Sequence, residues 1–423
     1  MKNNYTSQEK KNRHLLFETK KNIFITGAGG TGKTTFLNEF IEKNPKTIVT
    51  APTGIAAVNI GGVTTFNAFN IPIPCFGATT NKLNKTKLKK IIASDNVIID
   101  EISMCRVDVF SYIIKVIKKA EKIKGNKIRI IVSGDFSQLP PVITKEDEKL
   151  LKKFGFHKSG LPFTCKEWEN CHFSVIELTE VKRQDNPEFI ENLHKARLAD
   201  KTCIPYFNQF VKDEIPDDCI RICGTNSEVD KINKEYLDSF DSMPFAYQSI
   251  KEGKTAGALV DDIIVLKDGI NVYFTVNDLI NNEYVNGTFG KIHKCFKDHI
   301  EVKVDDKIID VTPHRYSIYS YKVDKGVLKK EEVGNVKQIP LKLAKAITIH
   351  KSQGKTFDKE VFTPNIFASG QAYVALSRVR SPEGLFLTEP LLPEYLITDK
   401  TVLRFYKNGY KYNVKSNSKR AEK

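Results

Sequence analysis

The chain has 423 residues and a mass of 48.0 kDa, which exceeds one typical hydrophobic core and predicts roughly two to four domains. Hydrophobic residues make up 40 % of it, which excludes a largely disordered protein, and no segment has the apolar length of a membrane span or a signal peptide. The formal charge of +15 favours a polyanionic partner, although a lysine-rich surface that reflects biased genomic composition gives the same charge.

The first predicted element is a buried strand at residues 22–26, followed by a glycine-rich segment and a helix that opens near Thr35. The segment, residues 27–34, reads Gly-Ala-Gly-Gly-Thr-Gly-Lys-Thr. In this context such a loop binds phosphate, because its backbone N–H groups point at an anion from a helix N-terminus. A glycine-rich turn with a chance Lys-Thr pair is the alternative, and the flanking elements argue against it. The segment predicts that the chain binds a nucleoside triphosphate.

Two side chains of this loop add chemistry to the backbone. Lys33 is expected to reach the β- and γ-phosphates, and the hydroxyl of Thr34 is expected to ligate Mg²⁺. The predicted nucleotide contacts here are Gly27, Ala28, Gly29, Gly30, Thr31, Gly32, Lys33, Thr34 and Thr35.

A second buried strand, residues 97–99, ends in an acidic pair. Asp100 is expected to hold Mg²⁺ through water, and Glu101 is placed to polarise an attacking water. An acidic pair after a strand is common by itself. Downstream of a phosphate-binding loop, it predicts an ATP-hydrolysing site that uses ATP and Mg²⁺.

The next strand, residues 128–132, leads into the sequence Ser-Gly-Asp-Phe-Ser-Gln-Leu-Pro-Pro-Val at residues 133–142. Gln138 is placed to sense the γ-phosphate and to relay its state to a neighbouring surface. The two prolines stiffen the chain where it leaves the sheet edge. A rigid turn without a catalytic role is the alternative.

Two arginines are candidates for catalytic cations. Arg183 follows the last predicted strand of the first lobe, and Arg378 lies on a predicted helix of the second. An arginine that completes a phosphoryl-transfer site contributes roughly 10³ to 10⁵ in rate, so closure of the two lobes is expected to gate hydrolysis. A surface ion pair is the alternative for each arginine.

The order of the elements predicts an α/β protein with parallel sheets, because short apolar runs alternate with helical stretches through the first half of the chain. A second α/β region begins near Ile220 and resumes after Leu343. Between them, residues 288–339 contain short strands separated by turns, which are typical of a small β-barrel. Residues 407–423 are basic and polar and are expected to be a frayed tail.

The eight cysteines show no paired C-x-x-C spacing. Cys165, Cys171 and His172 are close in sequence, but no fourth metal ligand has suitable spacing near them. We expect free and mostly buried thiols in a reducing compartment.

Seven motifs occur in this order along the chain: GAGGTGKT, APTGIAA, IIDEISM, GDFSQLPPV, ELTEVKRQ, ITIHKSQGKTFD and YVALSRVR. Together they resemble superfamily-1 (1B) DNA helicases, and among these the Pif group, which is related to RecD-like helicases. The resemblance runs from about Gln8 to Leu387. The Asp-Glu-Ile-Ser-Met run at residues 100–104 and Tyr-Val-Asn-Gly-Thr-Phe-Gly at residues 284–290 resemble the Pif group in particular.

The resemblance implies two tandem RecA-like P-loop domains with two insertions. The expected domains are the first RecA-like domain at 1–70 and 92–190, a wedge insertion at 71–91, the second RecA-like domain at 191–287 and 340–406, an SH3-like β-barrel insertion at 288–339, and the basic tail at 407–423. The wedge is short for the family. Gln8 is expected to read adenine, and Gly354 joins the expected nucleotide contacts.

The resemblance also implies an ATP-dependent helicase that moves 5′-to-3′ along single-stranded DNA, in replication, repair or recombination. The expected partners are single-stranded DNA and tailed or forked duplex DNA, with no membrane and with a monomer acting on the DNA. We expect an intracellular location, in the cytoplasm or nucleoid if the source is a bacterium or a phage. Whether G-quadruplexes are also unwound stays open.

Sequence-independent grip on a single strand uses phosphate contacts from small polar and basic groups, together with aromatic platforms for bases. His350 also has a structural alternative, but its match to the family's Thr-x-His-Lys-x-Gln-Gly pattern favours DNA contact. The family usually has His-Ser where this chain has Phe66-Asn67. The predicted DNA contacts are Pro52, Thr53, Gly54, Asn67 and Phe69 in the first lobe, and Thr225, Asn226, His350, Lys351 and Ser352 in the second.

A lysine cluster in the wedge candidate is a secondary DNA-binding hypothesis, because a solvated helix face gives the same pattern. The cluster consists of Lys82, Lys85, Lys87, Lys89 and Lys90.

Two rival functions remain. A P-loop kinase or another small-molecule phosphotransferase explains the phosphate-binding loop, but it does not explain a second α/β lobe that carries Arg378 and His350-Lys351-Ser352. A DNA-stimulated ATPase or translocase without strand separation explains every motif, and only an unwinding assay distinguishes it from a helicase.

Overall fold

The computed structural model describes residues 6–72, 75–76, 84–216, 218–255, 260–276, 278, 283–284, 288–324 and 327–412, without the side chains of Ile55 and residues 320–330. Unit 1 consists of the described residues of Met1–Glu180, Tyr319–Glu331 and Asp399–Lys423, and unit 2 of those of Val181–Ile318 and Glu332–Thr398. Three predicted features fall partly outside the described residues. They are the wedge (73–74 and 77–83, with Lys82), the YVNGTFG motif (285–287) and the tail (413–423).

Unit 1 is built on six parallel strands. They are β1 (Ile23–Gly27), β2 (Thr47–Ala51), β3 (Val63–Thr64), β4 (Asn96–Ile99), β5 (Arg129–Ser133) and β6 (Ser174–Leu178). Their order across the sheet is β3-β2-β4-β5-β1-β6. The strands β1, β2, β4 and β5 are buried along their whole length, as expected for parallel strands covered on both faces.

Helices cover both faces of this sheet. They are α1 (Ser7–Arg13), α2 (Lys33–Lys43), α3 (Gly54–Asn59), α4 (Thr65–Phe69), α5 (Lys85–Ile92), α6 (Val107–Lys124), α7 (Lys145–Lys153) and α8 (Lys166–Cys171), with a π-helical turn at His14–Glu18 and 3₁₀ turns at Ile102–Met104 and Pro162–Thr164. Successive side chains of β1 point to opposite faces of the sheet and therefore pack in two different apolar clusters. Phe24 packs in the cluster that contains α6, and Ile23 and Ile25 pack in the cluster that contains α2.

Unit 2 contains a smaller parallel sheet and a β-rich region. Its strands are β7 (Ile220–Cys223), β8 (Phe245–Gln248), β9 (Ile250–Gly253), β10 (Ile263–Leu266), β11 (Asn271–Phe274), β12 (Phe289–Cys295), β13 (Ile300–Val304), β14 (Lys307–Val311), β15 (His314–Asp324), β16 (Val327–Gln338), β17 (Leu341–Leu343), β18 (Ala346–Thr348), β19 (Glu360–Phe362) and β20 (Leu385–Leu387). The described residues of Tyr319–Glu331, from β15 and β16, group with unit 1. The parallel sheet has the order β18-β7-β19-β20.

The helices described for unit 2 have between 4 and 13 residues. They are α9 (Pro187–Arg197), α10 (Ile204–Phe207), α11 (Asn226–Asp238), α12 (Ile349–Ser352) and α13 (Gln371–Leu376), with 3₁₀ turns at Lys201–Cys203, Asn208–Phe210 and Pro382–Gly384. The two parallel sheets with flanking helices confirm the predicted α/β class.

The β-rich region extends beyond the predicted insertion at 288–339. The strands β12, β13 and β14 lie inside that range, but their five-stranded sheet, β14-β13-β12-β11-β17, includes β11 and β17 from outside it. The strands β15 and β16 instead form a separate sheet with β9. Tyr247, Leu266 and Val272 belong to the apolar core of this region, so residues that precede the predicted boundary help to build it.

The C-terminal helix α14 (Lys400–Lys407) belongs to unit 1, whereas the sequence placed residues up to 406 in the second RecA-like domain. Its residues Val402 and Phe405 are buried in the same core as α6. Residues 407–412, predicted to start a frayed tail, instead bring Tyr410 and Tyr412 against that core. Burial of the two aromatic rings accounts for this difference, because large rings have a lower free energy against an apolar core than in contact with water.

The boundary between the units lies at Glu180–Val181, earlier than the predicted boundary after residue 190. Arg183 therefore belongs to unit 2, not to the first lobe.

None of the helices in the described ranges combines the length and apolar composition that a membrane span needs.

Thiol reactivity tests the packing of both units. All eight cysteines are free and buried, and burial raises the pKa of their thiols, to about 11 for Cys203 and Cys219. Because the thiolate is the reactive form, we expect the aromatic disulfide reagent DTNB at pH 7.5 to label fewer than about one thiol per native chain. All eight are expected to react after unfolding in guanidinium. Rapid labelling of several thiols in the native protein would contradict this packing.

Candidate functional site

The phosphate-binding loop has the backbone that its sequence predicts. It leaves β1 at Gly27 and enters α2 at Lys33, and Gly30 and Gly32 both have φ of +81°, a left-handed conformation that favours glycine. Gly27 has φ of +152°, and a Cβ atom there would lie 2.3 Å from the carbonyl oxygen of Leu178. The loop therefore needs glycine both for its dihedral angles and for its close approach to β6.

Lys33 holds this loop in shape. Its Nζ donates hydrogen bonds to the carbonyl oxygens of Gly27 (2.8 Å) and Ala28 (2.9 Å), and the hydroxyl of Thr31 donates to the Ala28 carbonyl (3.0 Å). The ammonium group is thus held over the mouth of the loop, at the N-terminus of α2. Positive charge and exposed backbone N–H groups at this position suit a polyphosphate.

Asp100 follows β4 directly, and its backbone N–H donates to the Thr50 carbonyl (2.8 Å) on β2. Burial raises the pKa of its carboxyl, and this is opposed by the nearby backbone N–H of Glu101 and hydroxyl of Ser133 and by the charge of Lys33. A buried carboxylate next to a phosphate-binding loop and a threonine hydroxyl offers the oxygen ligands that Mg²⁺ prefers. The donor set of Asp100 and Thr34 therefore fits this ion.

Glu101 has a strained backbone. Its φ of +48° lies in the left-handed region, which is uncommon for a residue with a side chain. The residue is half-buried and comes immediately before the 3₁₀ turn Ile102–Met104. Strain of this kind concentrates at functional sites, where it fixes the direction of a side chain.

The Gln138 loop, residues 134–141, follows β5. The backbone N–H of Gly134 donates to the Ile25 carbonyl (3.0 Å), which attaches the loop to β1, and the backbone N–H of Gln138 donates to the Asp135 carbonyl (3.0 Å). Gln138 is buried, and Asp135 is fully buried. Because β1, β4 and β5 are parallel neighbours or near neighbours, this loop, the phosphate-binding loop and Asp100 lie at the same edge of the sheet.

Asp135 has a partner that the sequence did not reveal. Its carboxylate accepts hydrogen bonds from the backbone N–H of Ser137 (3.1 Å) and from the hydroxyl of Tyr406 (2.9 Å) on α14. Tyr406 lies in a segment with no recognisable motif, so sequence patterns gave no signal for it.

Gln8 lies on α1, which begins with a capping box between Thr6 and Glu9. Its Nε2 donates to Oδ1 of Asn12 (3.0 Å), and Asn12 in turn reaches the Glu177 carbonyl (3.4 Å) on β6. Gln8 is exposed and is therefore accessible to a ligand.

Arg378 is almost completely buried at the end of α13 in unit 2. Its guanidinium donates to the carbonyl oxygens of Val374 (2.7 Å), Lys355 (3.3 Å) and Ser352 (3.5 Å) and to the hydroxyl of Ser377 (2.6 Å). Arg183 donates to the Ser377 carbonyl (3.0 Å). The two arginines, predicted to come from different lobes, are thus gathered in one unit.

Glu360, at the start of β19, is a further charged residue of this cluster. It is completely buried, and among the residues that the structure describes neither of its carboxylate oxygens has a hydrogen-bond partner. Burial raises the pKa of its carboxyl well above the usual value, and the charges of Arg378 and Arg183 oppose that shift. Burial lowers the pKa of Arg183 to about 9, with a further contribution from Arg378. The sequence pattern of β19 gave no reason to single out Glu360.

The predicted DNA contacts of unit 1 follow β2 and form part of α4. Thr53 accepts a hydrogen bond from the Ala56 backbone N–H and caps α3, and Asn67 is exposed and contacts Lys87. Phe69 does not fit its predicted role, since it is fully buried in the core of unit 1. Phe66, one turn earlier, is 38 % exposed and is the available ring on this helix.

The predicted contacts of unit 2 lie at one sheet edge, because β7 and β18 are parallel neighbours and lead into α11 and α12. Thr225 and Asn226 at the start of α11 are exposed, as is Lys351. Burial lowers the pKa of His350, so its imidazole is neutral at pH 7. Ser352 is fully buried and donates its hydroxyl proton to the Ile349 carbonyl (2.8 Å), which removes it from the accessible contacts.

Comparison with known proteins places this geometry in a family. Residues 8–202 match the sequence profile of the PIF1-like helicases. The ATP-dependent DNA helicase Pif1 of Campylobacter jejuni is 30 % identical over 438 aligned positions, which cover 91 % of this chain and 94 % of that protein. The protein of the same name from Bdellovibrio bacteriovorus is 31 % identical, and the alignment covers 93 % of this chain and 89 % of that protein. The chain belongs to the PIF1-like helicase family.

Solved structures agree with this assignment. The crystal structure of Bacteroides sp. Pif1 in complex with ADP-AlF4 is similar to this chain with a TM-score of 0.85. The two sequences are 32 % identical, and the match covers 95 % of this chain and 96 % of the Bacteroides chain. The crystal structure of Bacteroides Pif1 bound to ssDNA has a TM-score of 0.65 and 33 % identity, with the same coverage. The family suspected from the seven motifs is confirmed.

The packing of Gly27 in this PIF1-like helicase can be tested by substitution. Gly27→Ala places a Cβ atom against the Leu178 carbonyl and adds strain at positive φ, so we expect a loss of roughly 2–4 kcal/mol in the free energy of unfolding. Gly155→Ala is a matched control, because Gly155 also has positive φ (+77°) but an added Cβ there meets no atom within 4 Å. Urea unfolding measures both. Equal losses in the two variants would show that the contact with Leu178 does not constrain the loop.

Proposed function

We propose that this PIF1-like helicase hydrolyses ATP to move 5′-to-3′ along single-stranded DNA and to unwind tailed or forked duplex DNA. The observation that carries the proposal is the gathering of the phosphate-binding loop, buried Asp100 and the Gln138 loop at one edge of a parallel sheet. Relatives named ATP-dependent DNA helicase Pif1 align over more than nine-tenths of the chain and support the same activity.

In the proposed site, Lys33 and the loop N–H groups bind the β- and γ-phosphates. Thr34 and Asp100 hold Mg²⁺, which when bound neutralises charge on the phosphate oxygens. Glu101 polarises the attacking water, and Gln138 responds to the γ-phosphate. Gln8 contacts the base and Gly354 contributes to nucleotide binding.

Arg183 and Arg378 supply cations that stabilise the charge of the transition state. In the structure the guanidinium of Arg378 donates to three carbonyl oxygens and one hydroxyl. A phosphate oxygen is a stronger acceptor than a carbonyl oxygen because it carries charge. We propose that the guanidinium of Arg378 exchanges these oxygen acceptors for a phosphate oxygen during catalysis.

The DNA grip is proposed to use exposed and half-buried residues at the strand ends of each unit. Its members are Pro52, Thr53, Gly54 and Asn67 in unit 1, with Phe66 in place of Phe69 as a stacking ring, and Thr225, Asn226, His350 and Lys351 in unit 2. The half-buried imidazole of His350 contributes a hydrogen bond, while Lys351 contributes charge. ATP binding and hydrolysis change how each unit holds the strand, and a monomer is sufficient for movement.

A second candidate is a DNA-stimulated ATPase or translocase that does not separate strands. The short predicted wedge favours it, because strand separation needs an element that splits the duplex. The same residues would hydrolyse ATP in both cases.

Lys33→Ala tests the nucleotide site. Loss of the ammonium removes the charge that faces the phosphates, so we expect DNA-stimulated ATP hydrolysis to fall at least about 100-fold while single-stranded DNA binding stays within about twofold. Lys43→Ala is the matched control, because Lys43 lies on the same helix, is largely exposed and pairs with Glu39. Steady-state phosphate release and fluorescence anisotropy measure the two properties. Unchanged hydrolysis in the Lys33 variant would reject the site.

Polarity is tested with duplexes that carry a single-stranded tail on one side only. We expect ATP-dependent strand displacement on a 5′-tailed duplex and at least about tenfold less on the matched 3′-tailed duplex, because the strand is pulled through in one direction. A gel assay with and without ATP measures displacement. Hydrolysis without displacement on either substrate would favour the translocase, and displacement on the 3′-tailed duplex alone would reverse the proposed direction.

A further inference from the structure

The Gln138 loop is held by the C-terminal helix. The hydroxyl of Tyr406 donates to Oδ1 of Asp135 at 2.9 Å. The ring of Phe405 meets the ring of Phe136 edge-on, with centroids 5.6 Å apart, and stacks on Phe163 at 4.1 Å. Two consecutive residues of α14 thus contact two consecutive residues of the loop, one through a polar bond and one through packing.

The polar contact leads directly to Gln138. Asp135 is fully buried, so its carboxylate depends on protein donors for the hydrogen bonds that water would otherwise supply. Its side chain accepts from the Ser137 backbone N–H and its carbonyl accepts from the Gln138 backbone N–H. Rotation of the Asp135 side chain would therefore disturb the turn on which Gln138 sits.

Packing alone does not require a tyrosine at position 406. The ring is partly buried against the apolar core of unit 1, and a phenylalanine would make the same apolar contacts. The hydroxyl adds a bond to a buried carboxylate, and bonds to charged acceptors are stronger than those between neutral groups. That bond gives a reason for a tyrosine at this position.

We propose that Tyr406 is a positioning residue for ATP hydrolysis, which fixes Asp135 and through it the Gln138 loop. The inference rests on the proposed function, since it assumes that Gln138 responds to the γ-phosphate. It makes α14 part of the nucleotide site of unit 1, although 271 positions separate Tyr406 from Asp135.

Tyr406→Phe removes the hydroxyl and keeps the ring. We expect kcat for DNA-stimulated ATP hydrolysis to fall about tenfold, a change equivalent to roughly 1.4 kcal/mol, with KM for ATP within about twofold, because phosphate binding by Lys33 is untouched. Tyr247→Phe is the matched control. It removes a hydroxyl that donates to the Phe296 carbonyl at 2.8 Å in unit 2, far in sequence from the nucleotide motifs. Its kcat is expected to match the unmodified protein.

A double-mutant cycle with Gln138→Ala separates positioning from a general loss of stability. If Tyr406 acts through the Gln138 loop, Tyr406→Phe has little further effect on kcat once Gln138 is replaced. A full second loss in the double variant, or a kcat of Tyr406→Phe equal to that of Tyr247→Phe, would overturn the inference. If the melting midpoint of Tyr406→Phe falls below the assay temperature, Asp135→Ala removes the acceptor of the same bond, and an unchanged kcat there also overturns the inference.

Failure of this inference can be distinguished from failure of the proposed function. A wild-type kcat in Tyr406→Phe together with loss of hydrolysis in Lys33→Ala leaves the ATPase site intact and removes only the positioning role. A wild-type kcat in Gln138→Ala removes the role proposed for that glutamine and, with it, the basis of this inference.

Discussion

The electrostatic interaction between buried Asp100 and Lys33 sets the character of the nucleotide site. Burial raises the pKa of Asp100, and the charge of Lys33 is one of the few influences that lower it. Lys33 in turn donates to the carbonyl oxygens of the loop, which are weaker acceptors than phosphate oxygens. The parallel sheet places Asp100 and Lys33 at the same edge, and this arrangement suits a polyphosphate ligand.

The parts of this site that the sequence predicted are those in which chemistry and backbone conformation lie in one short segment. An apolar run ends in glycines at positive φ and then in Lys33, and each feature is visible within a dozen residues. The same holds for the strand that ends in Asp100. Buried parallel strands read as continuous apolar runs, so β1, β4 and β5 also follow from the sequence. The order of the strands across the sheet does not.

The features that escaped prediction depend on contacts between distant parts of the chain. Phe69 sits in a motif associated with DNA, but its neighbours in space are core residues, and burial decided its role. The strand β11 joins the β-rich sheet by pairing with β12 and β17, which no local pattern specifies. Tyr406 reaches Asp135 only because the chain returns to unit 1 after building unit 2. Hydrophobic periodicity places such residues on a helix but does not identify what they touch.

The arginine cluster of unit 2 follows the same logic as the nucleotide site. Arg378 and Arg183 are removed from water and placed near Glu360, whose carboxylate oxygens have no hydrogen-bond partner in the described part of the chain. The guanidinium of Arg378 donates to carbonyl and hydroxyl oxygens, which are neutral acceptors. A phosphate oxygen carries charge and is therefore a stronger acceptor than any of them. Since burial removes the water that would screen the guanidinium, its charge acts strongly on an anion that reaches it. This agrees with the catalytic role that we propose for Arg378, and its burial does not exclude that role.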